Sequence, residues 1–319
     1  MLRSLFVSLS RSAWAMRTVT SWGVARRAAS RFVAGETVAD ALRAVETLNR
    51  RGIQATLDFL GESTRSLAEA SAASQEIVHL LEAIQSAGLR ANVSIKLSQI
   101  GLSLDPQAAR AHLLNILTRA RELDNFIRID MEDTSLTTPT LDLFFDMRRS
   151  GFENVGIVLQ AYLYRTRADL GRVLAGGGRV RLCKGAYQEP AQLAFPAKAD
   201  VDQNYDLLVL DLLRGAEACG ASLLSENGRT PPIPAIASHD ERRIDFALRS
   251  VEELKLPRAA VEFQMLYGIR RDLQEKLAAQ GYPVRVYVPY GTHWYPYFMR
   301  RLAERPANLW FFVSNFFRR

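Results

Sequence analysis

Two arginines stand side by side in the stretch VYVPYGTHWYPYFMRRL, residues 286–302. Arg300 and Arg301 fall at the start of an expected helix. Adjacent guanidiniums repel unless both are solvated or an anion lies between them. Two planar forks that each donate parallel N–H groups suit a carboxylate. Further along the chain, Lys96 interrupts the apolar run VSIKLS and Asp130 interrupts IRIDME. A charge inside such a run must be paired if it is buried. A Lys96–Asp130 pair across neighbouring strands would satisfy both, either as a core ion pair or as the polar floor under a ligand. Lys184 follows Cys183 at the end of another β-branched run. The KGAY that it opens has small residues that let a backbone approach a bound group closely. His239 after Ser238 either caps a following helix or donates to a ligand oxygen. Arg181, taken alone, is equally well an exposed strand residue.

The chemistry that is missing narrows the field. The histidines His79, His112, His239 and His293 are scattered, and none pairs with another beside a carboxylate at ligand spacing, so no metal is expected. Neither GxGxxG nor GxxxxGK[ST] occurs, which disfavours a dinucleotide or ATP site of those kinds. AGGGRVR (175–181) precedes a strand and reads as a helix-to-strand turn.

The elements that must position these residues recur. Eight β-rich runs lie at 52–61, 92–101, 126–132, 154–162, 179–187, 233–240, 261–266 and 284–291. Amphipathic segments of helical period separate them. Asp105–Pro106 reads as an N-cap with proline in the first turn, and Gly88 as a helix stop. Eight strand–helix units predict a (βα)8 barrel of the α/β class, with an open doubly wound sheet as the alternative. Chemistry in such a barrel sits at the carboxyl ends of the strands. Those ends carry Asp58 and Glu62, Lys96, Asp130 with Glu132, Gln160, Lys184, Ser238 with His239, Gln264 and Tyr287. A basic helical arm over residues 1–50 precedes the barrel, which is expected over 51–319.

The 319 residues carry a formal net charge of +7. The excess is concentrated: residues 1–32 hold Arg3, Arg11, Arg17, Arg26, Arg27 and Arg31 and no acid. Basic and aromatic residues do not interleave as in a nucleic-acid surface, so no nucleic-acid partner is expected. Two cysteines without CxxC spacing point to a reducing compartment. No apolar run reaches the roughly 20 residues of a spanning helix.

Taken together, IRIDME, IVLQAYLYR, VRLCKGAY, SHD, EFQMLYG and VYVPYGTHWYPYFMRRLAE resemble proline dehydrogenase over about residues 50–315. This family consists of flavin enzymes that oxidise L-proline to Δ1-pyrroline-5-carboxylate. The chain resembles the single-activity bacterial form. The resemblance implies a distorted (βα)8 barrel holding FAD non-covalently, with a final helix over the flavin. It assigns Arg300 and Arg301 to the proline carboxylate, and Tyr297, Tyr187 and Leu266 to the pocket walls beside Tyr287. Lys96 and Asp130 become the polar floor. Glu62 would pair with the first arginine in the empty site, and Glu304 would brace the pair. Met131, Gln160, Arg181, Lys184, Gly185, Ala186, Ser238 and His239 are assigned to the flavin, with Arg181 facing its N5 edge. Asp130, Arg181 and Tyr287 are thus the catalytic candidates.

The resemblance further implies a membrane quinone as electron acceptor and handover of the product to pyrroline-5-carboxylate dehydrogenase. The basic arm and NLWFFVSNFFRR (308–319) suit peripheral contact with a membrane surface. The expected location is the cytoplasm, at the inner face of the membrane where contact is made, or the mitochondrial matrix side in a eukaryote. Rival readings are a lyase with a Schiff base on Lys96 or Lys184, a flavin-free membrane-associated barrel, and a hydroxyproline dehydrogenase.

Overall fold

The computed structural model describes residues 29–61 and 64–304. Its parallel strands are β1 (Gln54–Phe59), β2 (Ala91–Ile95), β3 (Ile127–Ile129), β4 (Val155–Gln160), β5 (Arg179–Cys183), β6 (Pro234–Ala237), β7 (Glu262–Leu266) and β8 (Val284–Tyr290). They pair in sequence order, and β8 closes on β1, so the eight form a closed barrel. The helices are α1 (Val38–Asn49), α2 (Leu67–Ser86), α3 (Pro106–Glu122), α4 (Thr134–Arg149), α5 (Thr166–Ala175), α6 (Lys198–Ala218), α7 (Glu241–Glu253), α8 (Arg271–Ala279) and α9 (Trp294–Glu304). One follows each strand, and α1 precedes them all. The closed sheet excludes the open alternative.

Local chemistry sets the boundaries. Asp105 accepts the N–H groups of Gln107 and Ala108, with Pro106 in the first turn of α3. Asp240 caps α7 through the N–H of Arg242, so the cap is Asp240 and not the neighbouring His239. Beyond α2, Gly88 adopts φ +60°, the left-handed geometry that ends a helix without a Cβ penalty.

Along each strand the side chains alternate between two environments. One set is apolar and faces the helices: Ala55 and Leu57, Val93 and Ile95, Ile127 and Ile129, Val180 and Leu182, Val284, Val286 and Val288 are all essentially inaccessible. Each large member of this set contributes about 1.5–3 kcal/mol on burial. The other set fills the barrel and is mostly charged or polar: Thr56 and Asp58, Ser94, Arg128, Arg181, Glu262 and Gln264, Arg285 and Tyr287, with Val158 and Ala237 apolar. Cross-barrel bonds establish that this set points inward. Arg181 on β5 donates to Ser94 on β2 and Gln264 on β7, which are not its neighbours in the sheet. Barrel interiors are more often filled by Val, Ile and Leu. The outward apolar layer therefore carries the stability, while the buried ion pairs inside add little net.

The terminal helices depart from the simple ring. α1 packs on β1 and β8 through Ala41 and Val45, the outer slot that the helix after β8 would take. α9 instead packs over the carboxyl ends of the strands. Its Trp294, Tyr295, Tyr297, Phe298 and Met299 cluster with Leu60 beyond β1, Ile269 beyond β7, and Ala29, Phe32 and Val33. The rings of Phe32 and Phe298 lie 6.3 Å apart. Gly268 secures this approach. Its φ is +75°, and a Cβ there would lie 1.8 Å from the Arg31 carbonyl oxygen. Gly268→Ala should therefore destabilise the protein by about 2 kcal/mol or more. A melting curve would show a midpoint several degrees lower, and an unchanged midpoint would contradict the close packing.

Candidate active site

At the carboxyl end of the barrel the inward polar set becomes a charged floor. Asp130, just past β3, accepts from Arg181 Nη1 at 2.7 Å on one oxygen and from the Tyr287 hydroxyl at 2.7 Å on the other. Lys96, just past β2, places Nζ 3.1 Å from both oxygens of Asp58 and 3.8 Å from Asp130. The Lys96 partner expected from sequence was Asp130; the structure corrects this to Asp58 first, with Asp130 at the edge of reach. The cause is barrel closure, which sets Asp58 of β1 between β2 and β8. Arg181 Nη2 donates to Ser94 Oγ at 3.0 Å, and the guanidinium lies 5.3 Å from the Tyr287 ring centroid. Arg181 is 6% exposed, so it is a buried interior residue rather than an exposed strand residue. Two cations thus face two carboxylates on this floor.

Burial, reinforced by the carboxylates of Asp130 and Asp58, pushes the Tyr287 hydroxyl well above its ordinary value near 10. It therefore stays a hydrogen-bond donor. Burial acts in the same direction on Tyr162, Tyr205 and Tyr290. A tyrosine that resists ionisation when folded but ionises near pH 10 when unfolded stabilises the fold below pH 10 and loses that contribution as pH rises beyond it. Urea midpoints should accordingly hold from pH 8 to about 9.5 and fall above pH 10. Absorbance at 295 nm should show the buried phenols ionising only as the protein unfolds.

Opposite the floor stands α9. Arg300 and Arg301 occupy its second half, not its start, because the helix begins at Trp294. Arg301 is buried, with its guanidinium 5.1 Å from the ring centroid of Tyr297, one turn earlier. A cavity of about 660 Å³ lies between. Floor and helix meet around it: Lys96, Asp130, Arg181 and Tyr287 on one side, Tyr297, Arg300 and Arg301 on the other, with Leu266 and Tyr187 between. Glu62 lies outside the described residues, and so does the side chain of Glu304. The basic segment before residue 29 and the apolar segment 308–319 also lie outside them.

The cavity extends along Met131, Gln160, Lys184, Gly185, Ala186, Ser238 and His239. These residues fit a flavin dinucleotide. Gln160, which lines the cavity, has a buried Oε1 with no hydrogen-bond partner among the described residues. His239 Nε2 accepts the Leu266 N–H at 2.9 Å, which puts the proton of a neutral ring on Nδ1. Lys184 and Lys198 supply cations suited to a diphosphate, although Lys184 already donates to Asp202 and Asp240, and Lys198 to Asp202. Gly185 is also constrained from within the protein. At φ +114° a Cβ there would strike the Tyr162 ring at 2.2 Å, so the tight approach is to a tyrosine of the protein itself.

Sequence reasoning did not single out Lys198, Asp240 or Ser94, and it left Asp58 and Gln264 without a role. The available signal was the i, i+2 spacing of Thr56 with Asp58, Ser94 with Lys96, and Glu262 with Gln264. That spacing puts each pair on one face of its strand. No group of three or more His, Cys, Asp or Glu positioned to hold a metal ion occurs among the described residues.

Comparison with known proteins agrees with this geometry. The proline dehydrogenase family model matches residues 41–313. Proline dehydrogenase 1 of Bacillus subtilis (strain 168) is 41% identical over 316 residues, covering 99% of each chain. The proline dehydrogenase of Deinococcus radiodurans is 44% identical over 291 residues, covering 90% of this chain and 89% of its own. Among solved structures, proline utilization A from Bdellovibrio bacteriovorus, crystallised after inactivation by N-propargylglycine, superimposes with a TM-score of 0.77 at 26% identity. That match covers 88% of this chain and 33% of the longer one. With a matching family model over most of its length and relatives this similar from end to end, the chain belongs to the proline dehydrogenase family.

Proposed function

We propose that this protein oxidises L-proline to Δ1-pyrroline-5-carboxylate in the cavity between the barrel floor and α9. Family membership makes the chain an oxidoreductase. The observation that carries the substrate reading is the two faces of one cavity: adjacent arginines above, a charge-balanced polar floor below. In this reading Arg300 and Arg301 hold the proline carboxylate, while Tyr297, Leu266 and Tyr187 enclose the ring. Such clamping converts binding into orientation, which is worth several kcal/mol of barrier. Asp130, Lys96 and Tyr287 form the floor. Because their charges are already matched with Arg181 and Asp58, they do not compete for the substrate carboxylate. The Tyr287 phenol also leaves little room for a ring hydroxyl, which favours proline over hydroxyproline.

Met131, Gln160, Arg181, Lys184, Gly185, Ala186, Ser238 and His239 would hold FAD. When bound, FAD supplies at its N5 the acceptor for a hydride from proline C5. The amine must reach the site neutral for that transfer, and no side chain is assigned as the base that deprotonates it. Arg181 places a fixed cation on the cavity wall, which would favour negative charge on a group reduced beside it. Glu62 is proposed to pair with Arg300 in the empty site, and Glu304 to brace the arginine pair. A membrane quinone is the proposed electron acceptor, and a pyrroline-5-carboxylate dehydrogenase the proposed consumer of the product. No helix among the described residues is long and apolar enough to cross a membrane. Peripheral attachment through the basic and apolar terminal sequences is testable by liposome flotation at low and high salt.

The Schiff-base alternative is disfavoured by two observations. Lys96 lies between Asp58 and Asp130, and Lys184 between Asp202 and Asp240. An imine nitrogen carries at most one N–H, so a Schiff base on either could not keep both carboxylates bonded. The decisive experiment is an absorption spectrum of the purified protein before and after anaerobic L-proline. Oxidised flavin bands that bleach with L-proline, but not with D-proline or hydroxyproline, support the proposal. Flavin unmoved by L-proline overturns the substrate, and the absence of flavin after reconstitution overturns the cofactor.

A further inference from the structure

Beneath the floor, deeper in the barrel, lies a second ion pair that lines no part of the cavity. Glu262 of β7 and Arg285 of β8 are both fully buried. Arg285 Nε lies 3.0 Å from each carboxylate oxygen. Its Nη1 donates to the Ala55 carbonyl at 2.8 Å and its Nη2 to the Gly228 carbonyl at 2.9 Å. Glu262 Oε1 also accepts from the amide nitrogen of Gln264, and the oxygen of that same amide accepts from Arg181 Nε. One amide therefore bridges a buried carboxylate to the guanidinium on the cavity wall.

The chemistry of the two neighbours fixes which way this amide points. An ionised carboxylate only accepts hydrogen bonds, and a guanidinium only donates them. A half-turn of the amide would set its NH2 against Arg181 and its oxygen against Glu262, which breaks both bonds and opposes like groups. Without Glu262 below, only the Arg181 N–H would hold that orientation, and the terminal torsion of a glutamine is soft. A buried ion pair is also a poor way to stabilise a core, since apolar residues of similar volume usually do as well. What the pair does supply is direction.

We infer that Glu262, held by Arg285, is a positioning residue for Arg181. Acting through the Gln264 amide, it holds the Arg181 Nε–H and so aims the outer edge of the guanidinium at Asp130 and Ser94. Only the functional consequence rests on the reading of the cavity as a flavin site; the positioning does not.

The test compares the parent with E262M/R285M, Q264M and E262Q. Replacing both members of the pair keeps the net charge, although the buried Arg128 loses the nearby Glu262 carboxylate, and E262Q keeps the shape and serves if the double variant fails to fold. The first readout is hydrogen exchange of the Arg181 Nε–H by 15N spectroscopy, its signal identified by loss in R181K. We expect exchange to rise at least tenfold in E262M/R285M and Q264M, and at least threefold in E262Q. The second readout is the midpoint potential of bound FAD. The ratio of reduced to oxidised flavin should shift about threefold to tenfold in the same direction in each variant. Adding Q264M to E262M/R285M should bring no further shift, since both act through one bridge. Folded E262M/R285M with exchange within twofold of the parent overturns the inference, as does unchanged exchange in E262Q if only that variant folds. If L-proline fails to reduce the flavin, the proposed function falls, and the exchange measurement still decides the positioning.

Discussion

Arg301→Met should raise the KM for L-proline about 100-fold or more while the flavin stays bound. Arg301 is buried and lies along Tyr297 at the cavity. A charged hydrogen bond contributes roughly 1.5–3 kcal/mol net, and a guanidinium fork can make two to one carboxylate. Losing about 3 kcal/mol corresponds to roughly a 150-fold change in affinity. The buried position makes the loss larger than at a solvated surface, where the screened interaction is worth less than about 1 kcal/mol. Arg301→Lys should recover part of the affinity, because a point charge replaces the fork. Steady-state kinetics on flavin-loaded protein decide the matter: near-parental KM in Arg301→Met would remove the carboxylate clamp from the proposed function. Arg300 is more exposed, and its replacement should have the smaller effect.

Asp130→Ala should be the most damaging single change in the barrel floor. It deprives Arg181 of a partner at 2.7 Å and the Tyr287 hydroxyl of its acceptor, and it leaves Lys96 to Asp58. Removing one partner of a buried pair costs about 3–5 kcal/mol, because a charge remains uncompensated. For a chain of this size that lowers the melting midpoint by about 5–10 °C. Turnover should fall with it, since the cation on the cavity wall loses its fixed direction. Asp146 provides the control. It pairs with Arg110 at 2.7 Å, but on the surface. Asp146→Ala should move stability by less than about 1 kcal/mol. Equal melting shifts for the two variants would show that the floor is far better solvated than its burial indicates.

The parts of this fold that were legible in the sequence are those with local causes. Strand runs, the Asp105–Pro106 cap and the stop at Gly88 follow from periodicity and backbone preference within a few residues. The (βα)8 closure followed from counting such runs. The choice of partner was not local. Lys96 has Asp58 and Asp130 on either side, and only the register of β1 with β8 and β2 decides which is nearer. The start of α9 was hidden by composition, because WYPY opens it with three aromatics and a proline. A cap was one of two roles open to His239, since it stands beside the true cap, Asp240. The packing that excludes a Cβ at Gly185 was not legible, because the ring it must clear, that of Tyr162, is 23 positions earlier in the chain.

The exchange of places between α1 and α9 has a consequence for the catalytic cycle. Because α1 fills the outer slot on β8 and β1, the hydrogen-bonded ring of strands is complete without the arginine-bearing helix. α9 is attached through its own small apolar cluster, shared with residues 29–33. Lifting it would break no strand-to-strand bond and expose little of the main core. Substrate admission and product release can then proceed as a sub-global opening with its own, lower free energy, separate from the unfolding of the barrel. Selection can tune the strength of that cluster, and with it the rate of release, without drawing on the stability of the scaffold.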